Sequence, residues 1–313
     1  MEIFSNKYVL WIGFNLLVLL MLAIDLGVFH RRDHVISIKE GLVWSVIWIL
    51  VALIFNVFVY FWRGQEVALQ FFTGYLIERS LSVDNIFVFL LVFTYFQVPQ
   101  KFQYKVLIWG ILGALVFRGL FIVLGTFLIA KFHWIIYVFG VFLVITGVRM
   151  GIGPEKKIEP DRNPMLRLLR RFLPIATDYH EGGFFVRRSG RLLGSPLLVV
   201  LVVIETTDIV FAVDSIPAIF AITLDPFIVY TSNVFAILGL RALYFAIAGL
   251  MQVFRYLKYA LSFILAFVGA KMLISSFLHI PNLIALGIIG LSLLVAILLS
   301  LIIKPEEKDI ANA

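Results

Sequence analysis

Two segments of this 313-residue chain carry acids at the same spacing. One reads Glu78-Arg-Ser-Leu-Ser-Val-Asp84-Asn85-Ile86, the other Asp208-Ile-Val-Phe-Ala-Val-Asp214-Ser215-Ile216. In each copy the acids stand six apart, and the second is followed by a small polar residue and Ile. Glu205 lies on the same helix face as Asp208 at i, i+3, and Asp25 is a further acid inside an apolar run. These carboxylates, with the amide of Asn85 and the hydroxyls of Ser215, Thr206 and Thr207, form a set of hard oxygen ligands. With no sulfur ligand, and with its five His near run ends or in a loop, the set suits Mn²⁺, Mg²⁺ or Ca²⁺ rather than Cu⁺ or a thiolate zinc. Metal binding at carboxylates displaces protons, the physical basis for exchanging a cation against H⁺. The competing reading has the acids only neutralise Arg79, Arg118, Arg241 and Lys271. Ion pairing alone leaves the duplicated spacing unexplained, and Arg118 and Arg241 are expected to pair with acids of the opposite copy. Glu66 and Asp225 are expected to be solvated at the outer edge.

The elements that must position these acids follow from composition. Hydrophobic residues make up 62% of the chain and charged ones 14%, with a mean hydropathy of +1.04. That leaves too little polar side chain to cover a water-facing surface, so the chain reads as an integral membrane protein. Apolar runs lie near 8–29, 42–62, 67–97, 104–130, 134–150, 196–223, 228–251, 257–278 and 282–303. About 20 apolar residues cross a bilayer, and runs without in–out alternation exclude a barrel. The expected fold is an all-α polytopic membrane protein with about nine transmembrane helices. The first run lacks a basic segment before it and a small-residue cleavage site, so it is expected to be retained.

Alternate gaps hold the positive charge, at Arg31, Arg32 and Lys39, at Lys101 and Lys105, between Lys156 and Arg191, at Arg255 and Lys258, and at Lys304 and Lys308. The opposite gaps hold only Lys7, Arg63 and Lys131. This asymmetry puts the N-terminus outside and the C-terminus in the cytoplasm. It also accounts for the net charge of +7 through topology, so no nucleic acid partner is expected. The absence of Cys removes disulfides, thiolate metal sites and Cys nucleophiles, and leaves the redox compartment open.

The match between copies extends downstream. Arg118 answers Arg241, and Tyr137, Gly147, Arg149 and Met150 answer Tyr259, Gly269, Lys271 and Met272 at identical mutual spacing. Spans 3–5 therefore repeat as spans 6–8, and an odd number of crossings inverts the second unit, a device of secondary transporters. The organisation expected is 1–65 as two N-terminal helices, 66–151 as the first three-helix repeat and 152–195 as a basic cytoplasmic loop. The inverted repeat then takes 196–279, with a last helix and tail at 280–313. Interrupted helices are expected near both acid motifs, the more so because Pro217 follows Asp214. The 152–195 loop is read as a connector carrying topological charge, with contact to lipid headgroups as the alternative.

The motifs Glu78…Asp84-Asn85-Ile86-Phe87-Val88-Phe89 and Glu205…Asp208-Ile-Val-Phe-Ala-Val-Asp214-Ser215-Ile216-Pro217-Ala218 resemble those of the TerC family of bacterial membrane proteins, and within it the Alx branch. The likeness covers nearly the whole chain, including Asp25 and the Gly-Gly-Phe-Phe-Val stretch of the loop. It implies an inner-membrane protein of the LysE-like transporter superfamily, associated with manganese efflux and historically with tellurium resistance. The family's membrane acids carry over to Glu78, Asp84, Glu205, Asp208 and Asp214, and to Asp25. The function expected is a Mn²⁺ exporter working against protons by rocking of the two inverted units, with Mn²⁺ as substrate and no prosthetic group. The alternatives are a metal-binding scaffold serving exported proteins and an oxyanion transporter using Arg118 and Arg241. No Gly-x-Gly-Asp, His-Glu-x-x-His or Gly-x-Ser-x-Gly motif is present, so no enzyme and no catalytic residue is expected.

Overall fold

A computed structural model describes residues 7–29, 38–132, 134–152, 164–176, 179, 182–188, 191–247, 256–275, 277–278 and 280–302. The five histidines, and the side chains of Asp84 and Asp214, lie outside the described residues. The first helix, α1 (Lys7–Phe29), belongs to a compact N-terminal unit of residues 1–36 and is described by itself. The larger unit starts with α2 (Ile38–Arg63), α3 (Gln65–Tyr95), α4 (Gln100–Lys131) and α5 (Ile135–Ile152). A cap-like segment follows, with α6 (Pro164–Phe172) and the strands β1 (Phe185–Arg188) and β2 (Arg191–Gly194). Then come α7 (Pro196–Phe220), α8 (Pro226–Leu238), α9 (Leu240–Ile247), α10 (Leu257–Ile274) and α11 (Asn282–Ile302).

Among the described residues, eight helical stretches are long and apolar enough to cross a membrane, with α8 and α9 counting as one. The third apolar run is α3, 31 residues long but interrupted by Glu78, Arg79 and Asp84. The protein is thus all-α and polytopic. Polar residues sit inside these helices because their hydroxyls bond back to the carbonyl four residues earlier, which satisfies them without lipid-facing cost. Thr73 Oγ1 donates to Leu69 O at 2.7 Å, Ser80 Oγ to Leu76 O at 2.6 Å and Thr207 Oγ1 to Val203 O at 2.7 Å.

The expected interruptions at the acid motifs are absent: α3 and α7 run unbroken through Asp84 and Asp214. Pro217 lies in the last turn of α7, which continues past it to Phe220, so the proline is accommodated within the helix and does not split it. The interruption falls instead at Gly239, between α8 and α9. There Arg79 Nη1, reaching from α3, donates to Ala236 O at 3.1 Å. A Cβ at Gly239 would stand 2.6 Å from that nitrogen and 3.1 Å from Trp48 Cβ, so only glycine leaves room for the guanidinium.

Helices α5 and α10 make the closest packing in this unit, and glycines make it possible. A Cβ on Gly147 would lie 2.7 Å from both Ser262 O and Ala266 N. A Cβ on Gly269 would lie 2.7 Å from Gly140 O and 2.9 Å from Val144 N. The two sets of partners are each other's counterparts at one constant offset in the sequence. Elsewhere α3 packs on α7 and α8, and α4 on α7 and α8.

The segment after α5 is folded where it is described. Leu166 of α6 is buried in the core shared with Leu197 and Val200 of α7. The β1–β2 ribbon is antiparallel, and Ser195 N donates to Phe184 O at 2.9 Å, tying the ribbon to the start of α7. Gly182, at φ +77°, lies against the ring of Phe102, and Lys105 Nζ donates to Gly182 O at 3.3 Å. Tyr179 donates to Phe96 O at the end of α3.

Candidate functional site

The site is organised by Arg118, the largest fully buried side chain among the described residues. It lies midway along α4, where a lone guanidinium in an apolar interior is tolerated only with compensating acids and acceptors. It ion-pairs with Glu78 of α3, and its Nη2 stands 3.7 Å from Asp208 Oδ1 of α7. Its Nη1 also donates to Asn233 Oδ1 at 2.8 Å and Ser215 Oγ at 3.2 Å. Asn233 is fixed for this task, since its own amide nitrogen donates to Val229 O at 2.8 Å. Asn85 Nδ2 donates to Asp208 Oδ1 at 3.3 Å. Four helices thus meet on one guanidinium. Arg118 meets Asp208, an acid of the opposite motif as expected, and Glu78 of its own as well.

Each acid keeps an oxygen in reserve. Glu78 Oε2, Asp208 Oδ2 and Glu205 Oε2 are buried and accept no hydrogen bond among the described residues. A small cavity lined by Glu78, Asn85, Arg118 and Ser215, with Met150, Phe211 and Leu265, opens on one side of the cluster. A second is lined by Asp208 and Arg241, with Gly110, Ala114, Ile204 and Leu240. Asp208 therefore contacts Arg118 and shares the lining of the second cavity with Arg241. Glu205 is only partly buried, and its carboxylate presses against the α4 backbone at Gly113, where any Cβ would overlap it. Glu78 and Asp208 share the one guanidinium of Arg118, which leaves room for a proton or a cation.

The other expected residues are distributed differently. Arg79 caps the Gly239 interruption rather than pairing with a motif acid. Lys271 is buried and donates to Asn282 Oδ1 at 3.1 Å, and Asn282 Nδ2 donates to Glu66 Oε1 at 3.0 Å. Asp225 is structural: it accepts from Phe227 N and Ile228 N as the cap of α8 and ion-pairs with Arg63. Asp25 belongs to the separate N-terminal unit, and the side chains of Asp84 and Asp214 lie outside the described residues. Among the described residues no group of three or more His, Asp and Glu is gathered as for a metal ion. Asn233 and Gly113 were not anticipated. Each is a single residue without a counterpart of its type in the other copy, and internal comparison finds only what is duplicated.

Comparison with known proteins places the chain. Residues 63–308 match the model of the integral membrane protein TerC family. A membrane protein of Myxococcus xanthus, STKORF319, is 50% identical over 304 residues, covering 97% of this chain and 95% of its own. A Salmonella typhi protein named "Putative membrane-bound redox modulator Alx" is 50% identical over 290 residues, 90% of each chain. The Escherichia coli K12 protein of the same name is 48% identical over 290 residues, again 90% of each. No solved structure matches. On the length of these matches and the motifs they contain, the chain belongs to the TerC family of integral membrane proteins.

Proposed function

We propose that the chain is a secondary transporter that exports a divalent metal, Mn²⁺ before others, from the cytoplasm in exchange for protons. The observation that carries this reading is the set of reserved oxygens on Glu78, Asp208 and Glu205, buried among helices, with Glu78 and Asp208 sharing the one guanidinium of Arg118. A buried carboxylate without a full complement of partners calls for a proton or a metal. Arg118 acts in this scheme as a tethered cation: it holds the acids together when cargo is absent and yields part of its contact when cargo enters. Asn85 and Ser215 add neutral oxygens of the hard type that Mn²⁺, Mg²⁺ and Ca²⁺ share. The inverted repeat belongs to the same proposal, and the reciprocal packing of Gly147 and Gly269 supports it. So do the inner membrane as the location and an external N-terminus, for which the charge asymmetry speaks.

The relatives' name speaks of redox modulation. This chain has no Cys, so any effect on redox state would run through the metal supply of other proteins rather than through thiol exchange. The test is Mn²⁺ flux into proteoliposomes, wild type beside Asp208→Asn and Glu205→Gln, with Mg²⁺ and Ca²⁺ in parallel and an imposed pH gradient. Flux that disappears in both folded variants and follows the gradient is the expected result. Wild-type protein that binds Mn²⁺ and moves none would overturn the transport reading in favour of a scaffold.

A further inference from the structure

The segment between α5 and α7 presents one chemistry from two elements. On α6, Leu166 is turned into the core while Met165 and Leu168 are 46% and 52% exposed, beside exposed Arg167 and Arg171. On the ribbon, Phe185 and Arg187 point to one face by strand alternation, and Leu192 joins them because it pairs with Arg187. Phe185 and Leu192 are each 56% exposed, and Arg187 is exposed as well. Large apolar side chains set singly among arginines are the pattern of a surface that lies on a bilayer, apolar groups entering the acyl boundary and cations meeting headgroups.

The height of this surface is marked independently. Phe184, at the base of the ribbon, meets the Trp109 ring edge-on at 6.3 Å, and Trp109 is itself 54% exposed on α4. An exposed Trp on a spanning helix belongs at the membrane–water boundary. The ribbon is also fixed to the start of α7, where Ser195 N–H donates to Phe184 O at 2.9 Å, and to the chain after α6, where Gly194 N–H donates to Pro174 O at 2.9 Å. Both elements therefore sit where a spanning helix leaves the bilayer. Charge complementarity selects the occupant, because neither 164–176 nor 183–195 contains an acid.

We propose that α6 and the β1–β2 ribbon form a docking surface for an anionic phospholipid bilayer, which Arg167, Arg171 and Arg187 bind through headgroup phosphates. An arginine near an anionic surface contributes roughly fivefold in binding, so the three together contribute about a hundredfold. The chain has no Cys, so Leu168→Cys gives a single site for an environment-sensitive fluorophore in the full-length protein. The labelled protein is placed in nanodiscs of phosphatidylcholine alone, or with about a third phosphatidylglycerol, enough anionic lipid to attract basic segments. The expected result is blue-shifted emission with phosphatidylglycerol only, reversed by high salt as screening requires. Adding Arg167→Gln, Arg171→Gln and Arg187→Gln should weaken docking about a hundredfold on the same estimate and leave the melting temperature unchanged. Equal emission in both discs overturns the proposal, as does a triple variant that docks like wild type. Blue-shifted emission in every disc and in detergent overturns it too, since protein rather than lipid then covers α6. Retention of phosphatidylglycerol by the unlabelled protein in native mass spectrometry checks that the label itself does not create the docking.

Discussion

Arg118→Leu is the most severe single change available in the described part of the molecule. Leucine occupies much of the same volume and suits the helix, so the loss is electrostatic. Two hydrogen bonds to neutral acceptors go first, on Asn233 and Ser215, and interhelical bonds in membranes average about 0.6 kcal/mol each. The larger loss is the ion partner of Glu78, with a weaker contact to Asp208, at side-chain exposures of 2%, 0% and 4% for the three residues. Removing one member of a buried pair costs about 3–5 kcal/mol, because the remaining charge is left uncompensated. The total is about 4–6 kcal/mol, a large part of the roughly 5–15 kcal/mol that holds a typical domain together.

Heat denaturation in mild detergent, followed by intrinsic fluorescence of the six Trp, reads this cost directly. At about 2 °C or more per kcal/mol, the midpoint should fall by roughly 8 °C or more. The decisive step is a double variant. If the penalty comes from stranded charge, Glu78→Gln placed on Arg118→Leu should return about half of it, although Glu78→Gln alone destabilises the wild type. An Arg118→Leu protein that melts within about 2 °C of wild type would refute the reasoning, since that is less than one kcal/mol. A double variant that is merely additive would refute it equally, because the two groups would then be uncoupled.

Two further outcomes follow from the packing. Gly147→Ala and Gly269→Ala each drive a methyl into the backbone of the facing helix and should each cost about 1–3 kcal/mol, whereas Gly290→Ala, with nothing within 4 Å, should be neutral or slightly stabilising in the same melts. In the cap segment, burial pushes the Tyr179 hydroxyl above its ordinary value of 10. The folded state therefore keeps a proton that the unfolded chain gives up. Its contribution is fully present below pH 10 and declines as pH rises above that value. Protease nicking of the 152–195 segment should accelerate above pH 10, and Tyr179→Phe, which cannot ionise, should lose that dependence.

The spans were legible because an apolar run of membrane length admits few structures, and α1 to α5 and α7 to α11 overlie the runs within a few residues. Their polar contents were legible in part. Glu78, Asp208 and Arg118 stood out as charges that lipid would not accept, and they do meet. The motifs suggest interrupted helices, but Pro217 stands one turn before α7 ends, where little helix remains to be split. Gly239 gave no such signal. Its role depends on Arg79, 160 positions earlier, arriving at that spot in space. By its charge alone the cap segment is a connector. The spacing of Leu166 and Leu169 among its arginines carried the other half of the message, an apolar side that packs on α7.

The packing also constrains how such a molecule would move. Among the described residues, α3 packs on α8 and α4 on α7, while α5 lies along α10. If 66–151 and 196–279 are taken as the two units of a repeat, the first helix of each leans on the second helix of the other, and the units interlock. A rocking of 66–151 as one body against 196–279 would have to tear both of these contacts at once. The α5–α10 seam, where backbone meets backbone at Gly147 and Gly269, would be torn with them. Under the transport reading the bodies that can shift at lower cost are the mixed pairs, α3 with α8 and α4 with α7. Arg118 lies across that division: it is carried by α4, reaches Asp208 within its own pair, and reaches Glu78 and Asn233 in the other. Opening the site then means exchanging Arg118's grip on Glu78 and Asn233 for cargo, while its contact with Asp208 travels along. Asp208→Asn and Glu78→Gln should accordingly differ in kind, the first weakening cargo binding and the second loosening the closed state.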